Sequence, residues 1–121
     1  MRLSILPNAE TPVYRQMYEQ IAAQILSGRL TGGTALPPIR TVARELGVSV
    51  ITVRGAWEAL ERDGLIETRA GSGCFAARLS EAEKSERREA VLAEPMERLL
   101  GTAKELGFSN AELMERLYRA W

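Results

Sequence analysis

The chain has 121 residues, with 45% apolar and 26% charged side chains and a formal net charge of zero, the balance of one ordinary soluble domain or a small domain plus an appendage. It holds no histidine and a single cysteine, Cys74, which excludes histidine triads, an intrachain disulfide and a cysteine cage for a metal. No apolar run reaches transmembrane length, and the start, Met1 to Pro7, breaks too early for a signal peptide, so a cytoplasmic, non-enzymatic protein without metal or cofactor is expected.

The charge is unevenly shared. Residues 1–78 carry nine Arg, no Lys and seven acidic residues, whereas residues 79–121 carry seven Lys or Arg and nine Glu. The basic charge of the first part is thus all arginine, the side chain that forks best onto phosphates and guanine edges.

Thr11-Pro12 predicts the first helix start, with threonine as N-cap and proline at the first helical position. Val13, Met17, Ile21 and Ile25 recur at helical spacing and Gly28 is a natural stop, so a helix over about residues 12–27 is expected. Gly32-Gly33 marks a loop. Leu36-Pro37-Pro38 opens a short second helix, striped by Val42, Ala43 and Leu46 and ended by Gly47. Ser49 then caps a third, in which Val53, Ala56, Trp57 and Leu60 form the buried face. Val48 and Val53 can form a hydrophobic staple across the cap. Two short helices joined by so tight a turn read as a helix-turn-helix. Trp57 belongs to its core by spacing.

After the stop at Asp63-Gly64, Leu65-Ile66-Glu67-Thr68-Arg69 and Cys74-Phe75-Ala76-Ala77-Arg78 read as strands around the turn Ala70-Gly71-Ser72-Gly73. A hairpin directly after a helix-turn-helix is a wing. Cys74 reads as a small strand residue. Ser80-x-x-Glu83 is a capping box opening a long charged helix that Pro95 should kink. Gly107 ends it, and Ser109-x-x-Glu112 caps the last helix. Mainly α architecture with a small β-hairpin follows: a winged helix-turn-helix over residues 1–78 and a two-helix segment over 79–121.

The third helix carries the chemistry. Its N-terminus favours an anion. Ser49 can cap the helix and meet a phosphate, Thr52 can bond a phosphate or a base edge, and Arg54 can reach guanine or the backbone. Val50 and Ile51 either pack against the second helix or the wing, or read thymine methyl groups. Gly71 and Gly73 serve the tight turn and leave a wing tip thin enough for a minor groove, with Arg69 beside it.

The tail has two apolar stripes: Leu92, Met96, Leu99, Leu100, Ala103 and Leu106 on one helix, Leu113, Leu117 and Trp121 on the other. Two helices cannot bury both stripes alone, so a homodimer interface is their expected home.

Pro12-Val13-Tyr14-x-Gln16, Leu36-Pro37-x-x-Arg40-x-x-Ala43, Leu46-Gly47-Val48-Ser49, Thr52-Val53, Leu60-x-x-x-Gly64-Leu65-Ile66 and Gly71-x-Gly73-x-Phe75 together resemble the winged-helix domain of GntR-family bacterial transcriptional regulators. The short helical remainder is similar to the YtrA subfamily, whose tails serve dimerisation and whose members often control transporter operons. The chain departs from the usual pattern at Gly32, Pro38, Val50 and Cys74. The resemblance implies that Arg40 contacts DNA, where its plainer reading is a solvated helix charge. It also implies a dimeric regulator, a repressor of an operon, reading a palindromic operator; any small-molecule effector stays unidentified. The alternative is a winged-helix module that binds protein, favoured by the zero net charge and the apolar Val50 and Ile51.

Overall fold

A computed structural model describes all 121 residues. The elements run α1 (Val13–Leu26), α2 (Ile39–Leu46), α3 (Val50–Arg62), β1 (Ile66–Arg69), β2 (Gly73–Ala76), α4 (Glu81–Glu105) and α5 (Asn110–Ala120). They form two compact units, Met1–Lys84 and Ser85–Trp121.

In the first unit, α1 begins one residue later than expected. Pro12 occupies the N-cap, with no side-chain cap, so Thr11 does not cap the helix. The Thr11 carbonyl instead accepts a hydrogen bond from Gln16 Nε2 at 2.8 Å. The apolar positions behave as their spacing demands: Met17, Ile21, Ala22, Ile25 and Leu26 are buried. They share one core with Val42 and Ala43 of α2, with Val53, Ala56, Trp57 and Leu60 of α3, and with Leu65, Ile66 and Ala76 of the hairpin region. Met17, Ile21, Val53 and Leu60 have no exposed surface, and each such side chain contributes about 1.5–3 kcal/mol through burial. The phenol of Tyr18 donates to the Asp63 carboxylate, tying α1 to the residue that ends α3.

The turn between α2 and α3 is set by two residues. Gly47 adopts a left-handed φ of 68°, where a Cβ would be strained, and the Val48 amide reaches back to the Ala43 carbonyl at 3.0 Å. Ser49 then caps α3, its side chain accepting from the Thr52 amide at 3.1 Å. Val48 packs half-buried against the core that also holds the fully buried Val53.

The hairpin is antiparallel, with Ile66 opposite Ala76, Glu67 opposite Phe75, Thr68 opposite Cys74 and Arg69 opposite Gly73. The strands are shorter than expected: Leu65, Ala77 and Arg78 lie outside them, and Gly73 belongs to β2 rather than to the turn. The segment after Gly32, expected as loop, adds a third extended stretch. Ala35 bridges Phe75, the Leu36 amide donates to the Cys74 carbonyl at 2.8 Å, and the Ala76 amide donates to the Thr34 carbonyl at 2.8 Å. Both edges of β2 are therefore occupied.

A second feature had no counterpart in the sequence reading. Gln16, Gln20 and Gln24, spaced four apart on α1, hold the backbone of Leu6, Ser4 and Arg2. Each glutamine accepts from the amide and donates to the carbonyl of its partner. The alternate residues Leu3 and Ile5 pack against the core. The opening residues are thus an extended strap laid on α1.

In the tail, both capping boxes form. The Glu83 amide donates to Ser80 Oγ and the Ser80 amide to Glu83 Oε1, and Ser109 and Glu112 repeat the exchange. α4 continues through Pro95 as one helix. Of the tail's apolar residues Ala103 is buried and Leu113 half-buried, while Leu92, Met96, Leu99, Leu100, Leu106, Leu117 and Trp121 are exposed. No helix is long and apolar enough to cross a membrane.

Candidate nucleic-acid interface

The helix-turn-helix sets which side chains leave the surface. α3 buries Val53, Ala56, Trp57 and Leu60, and successive residues turn by 100°, so the residues just inside the cap divide. Val50 is half-buried and packs against the core. Ile51 is 78% exposed. The sequence treated the two as a pair; the structure separates them, leaving Ile51 as the free apolar group on the first turn.

Ser49 and Thr52 are joined by more than the cap. Their hydroxyls lie 2.8 Å apart. One O–H bridges the pair, and the other proton remains free to donate. An anion at the start of α3 would find that hydroxyl and the positive end of the helix dipole. Arg54, exposed one turn further on, and Arg40, exposed on the first turn of α2, make no ion pair with a carboxylate. Both guanidinium groups are free for another partner.

On the hairpin, Gly71 and Gly73 have φ of 75° and 102°, and a Cβ at either position would meet nothing within 4 Å. Backbone conformation, not crowding, requires glycine there, and the tip is correspondingly thin. Arg69 is placed by its neighbours. Its guanidinium stacks on the Phe75 ring at 4.5 Å and lies 3.9 Å from Glu67. Sequence reasoning named Arg69 but neither partner; the signal was the alternation of Glu67 and Arg69 along one strand face. Cys74 is half-buried with its Sγ 3.5 Å from Thr68 Oγ1, as befits a small strand residue. Trp57 lies in the core. No group of residues is arranged to hold a metal ion.

Residues 13–76 match the sequence profile described as bacterial regulatory proteins, gntR family. The chain belongs to the GntR family. The HTH-type transcriptional regulator Rv1152 of Mycobacterium tuberculosis is 31% identical over 109 residues, covering 90% of this chain and 85% of its own. The HTH-type transcriptional repressor YtrA of Bacillus subtilis is 29% identical over 113 residues, covering 93% and 87%. The probable rhizopine catabolism regulatory protein MocR of Rhizobium meliloti is 46% identical, but over 60% of this chain and only 15% of its own length.

Among solved structures, YtrA from Sulfolobus acidocaldarius, a GntR-family transcription factor, is 28% identical with a TM-score of 0.58, over 98% of this chain and 95% of that one. The DNA-binding domain of AraR in complex with operator ORX1 is 30% identical with a TM-score of 0.55, over 64% of this chain and 99% of that one. This GntR chain is thus a helix-turn-helix DNA-binding protein of transcription regulation, in a family of regulators rather than enzymes.

Proposed function

We propose that this GntR chain acts in the cytoplasm as a homodimeric repressor. Each copy sets the first turn of α3 in the major groove of one half of a palindromic operator, and the hairpin lies along the flanking minor groove. The observation that carries this reading is the first turn of α3, where a free hydroxyl at Ser49–Thr52, the exposed Ile51 and the unpaired Arg54 stand at the positive end of a helix. Arg40 and Ser49 position the protein on phosphates, Thr52 and Arg54 reach phosphate or base edges, and Ile51 meets a thymine methyl. Val50, half-buried, contributes mainly by fixing that turn. Arg69, Gly71 and Gly73 form the wing contact.

The exposed apolar residues of α4 and α5 supply the dimer surface. Pairing would place two recognition helices about 34–36 Å apart, one turn of duplex. The likeness to YtrA, named a repressor, supports repression of an operon, and the subfamily's habit makes transporter genes the first place to look. The AraR domain bound to its operator supports duplex DNA as the partner.

A mobility shift with genomic fragments at several salt concentrations tests the reading. Counterion release predicts affinity that falls steeply as salt rises. Arg40→Ala should weaken binding to every sequence and lower the salt slope by about one. Replacing thymine by uracil should weaken binding at one or two operator positions by about 1 kcal/mol if Ile51 reads a methyl group. A full chain that shifts no fragment at low salt would sink the DNA reading in favour of a protein-binding module.

A further inference from the structure

The wing has one cation, and the sheet holds it in a defined place. Residues 66–76 contain Arg69 and no other basic side chain. The register puts Glu67 opposite Phe75 and Arg69 opposite Gly73. Alternation then sets Glu67, Arg69 and Phe75 on one face of the hairpin, while Ile66 and Ala76 are buried on the other. Gly73 offers no side chain opposite Arg69, and the gap lets the arginine fold diagonally onto Phe75. The guanidinium carbon lies 4.5 Å from the ring centre, and Nη2 lies 3.9 Å from a Glu67 carboxylate oxygen. Phe75 is anchored in turn, because its strand pairs with β1 on one edge and with Ala35 on the other.

We propose that Arg69 is the wing's nucleic-acid arm, that Phe75 is a positioning residue holding it in place, and that Glu67 stands in for a DNA phosphate until a duplex displaces it. The proposal rests on the DNA-binding reading and adds to it two residues that set how strongly the wing engages. Because its carbon lies over the ring face, the guanidinium spends no N–H donor on Phe75, and those donors stay open to an acceptor. Half of the Arg69 side chain is exposed (52%), so those donors are accessible. Stacking also removes rotamer freedom before binding, which lowers the ordering cost when DNA arrives. The Glu67 contact is long and solvated, the class of ion pair that is weak in water. A phosphate offering short charge-assisted hydrogen bonds outcompetes it. In a chain of zero net charge, this carboxylate regulates the wing's one positive charge.

The test uses the full chain and a duplex that the full chain selects from a random-sequence pool. Affinity at two salt concentrations and the melting temperature are measured for R69Q, E67Q, F75L and the doubles E67Q/R69Q and F75L/R69Q. R69Q should weaken binding and lower the salt slope by about one. E67Q should tighten binding by roughly two- to fivefold, the scale of an exposed ion pair, and the gain should vanish in the R69Q background. F75L should weaken binding at near-normal melting temperature, and that loss should also vanish with R69Q.

R69Q with unchanged affinity and slope would overturn the proposal. An equal gain from E67Q with and without Arg69 would do the same, since it marks general repulsion between Glu67 and DNA. If F75L unfolds the hairpin, E67Q and its double decide alone. A full chain that enriches no duplex would instead defeat the DNA-binding reading on which the proposal stands.

Discussion

The side-chain amide of Gln16 grips the backbone of Leu6 from both sides, Oε1 accepting the Leu6 amide at 2.8 Å and Nε2 donating to the Leu6 carbonyl at 2.8 Å. Nε2 also donates to the Thr11 carbonyl, so both amide protons and one lone pair of the carbonyl are used inside the first unit. Gln16 is the one buried polar residue of the core. Gln16→Ala removes these partners from half-buried backbone groups, and it should cost about 1–3 kcal/mol of stability. Gln20→Ala, whose partners at Ser4 are exposed, should cost clearly less. Urea unfolding of the two variants checks the order, and equal losses would mean that the strap adds no more at Leu6 than at its exposed end.

Gly55 sits inside α3 with ordinary helical backbone, and a Cβ built on it would meet nothing within 4 Å. Neither positive φ nor crowding explains the glycine. Gly55→Ala should therefore stabilise the protein by about 1 kcal/mol, a rise of about 4–8 °C in melting temperature for a unit of this size. Calorimetry decides it. Because Gly55 lies one turn after Ile51, the same variant should be assayed on DNA. Weaker binding in a more stable protein would show that the bare helix backbone there meets the duplex.

The local grammar of this chain was legible because its signals are local. Ser49, Ser80 and Ser109 mark helix starts through hydrogen bonds to residues three positions on, and Gly47 marks a stop through its own φ. The core followed from spacing, since Trp57, Val53 and Leu60 share a helix face whatever packs on it. Two features escaped. The strap and the stretch around Ala35 are held through backbone groups of residues far apart in sequence, and backbone pairing leaves no mark on residue type. Gln16, Gln20 and Gln24 were visible at helical spacing, but glutamine on a helix ordinarily faces water. At the candidate interface, Ser49, Thr52 and Arg54 follow from the cap position alone. Which of Val50 and Ile51 turns outward depends on how α3 lies against α2, and the stacking of Arg69 on Phe75 depends on strand register. Neither is encoded one residue at a time.

Glu112 closes the capping box of α5. The Ser109 backbone N–H first, then the Ser109 hydroxyl, with Arg116 adding attraction, hold its carboxyl below the ordinary glutamate range. A carboxyl lowered in the folded state favours folding above its unfolded pKa, and that contribution fades as pH falls through the lowered value. In a proton titration followed by NMR, Glu112 should ionise below the ordinary glutamate range. Ser109→Ala should move Glu112 part of the way back up, because the backbone donor remains. Glu112 titrating within the ordinary glutamate range in the unaltered protein would mean that the box is open in solution.

The proposed dimer can be tested on the tail. On α4, Leu92, Met96, Leu99 and Leu100 are exposed, and Leu117, Tyr118 and Trp121 are exposed on α5. Exposed apolar side chains in such number, where they adjoin, ordinarily mark an interface, and a second copy is the partner that would suit a palindromic site. Leu99→Glu combined with Leu100→Glu places two carboxylates on that surface. The double variant should sediment as a monomer with its helix content intact, because both residues are already partly exposed in the single chain (38% and 39%) and the helix tolerates glutamate well; circular dichroism checks that the helices remain. Its affinity for one half-site should match that of the unaltered chain. Its affinity for the full operator should fall by about 10²–10⁴, the advantage lost when the second half-site is no longer tethered to the first. A double variant that remains dimeric, or a monomer that holds the full operator as tightly as before, would assign the tail's apolar surface to something other than self-association.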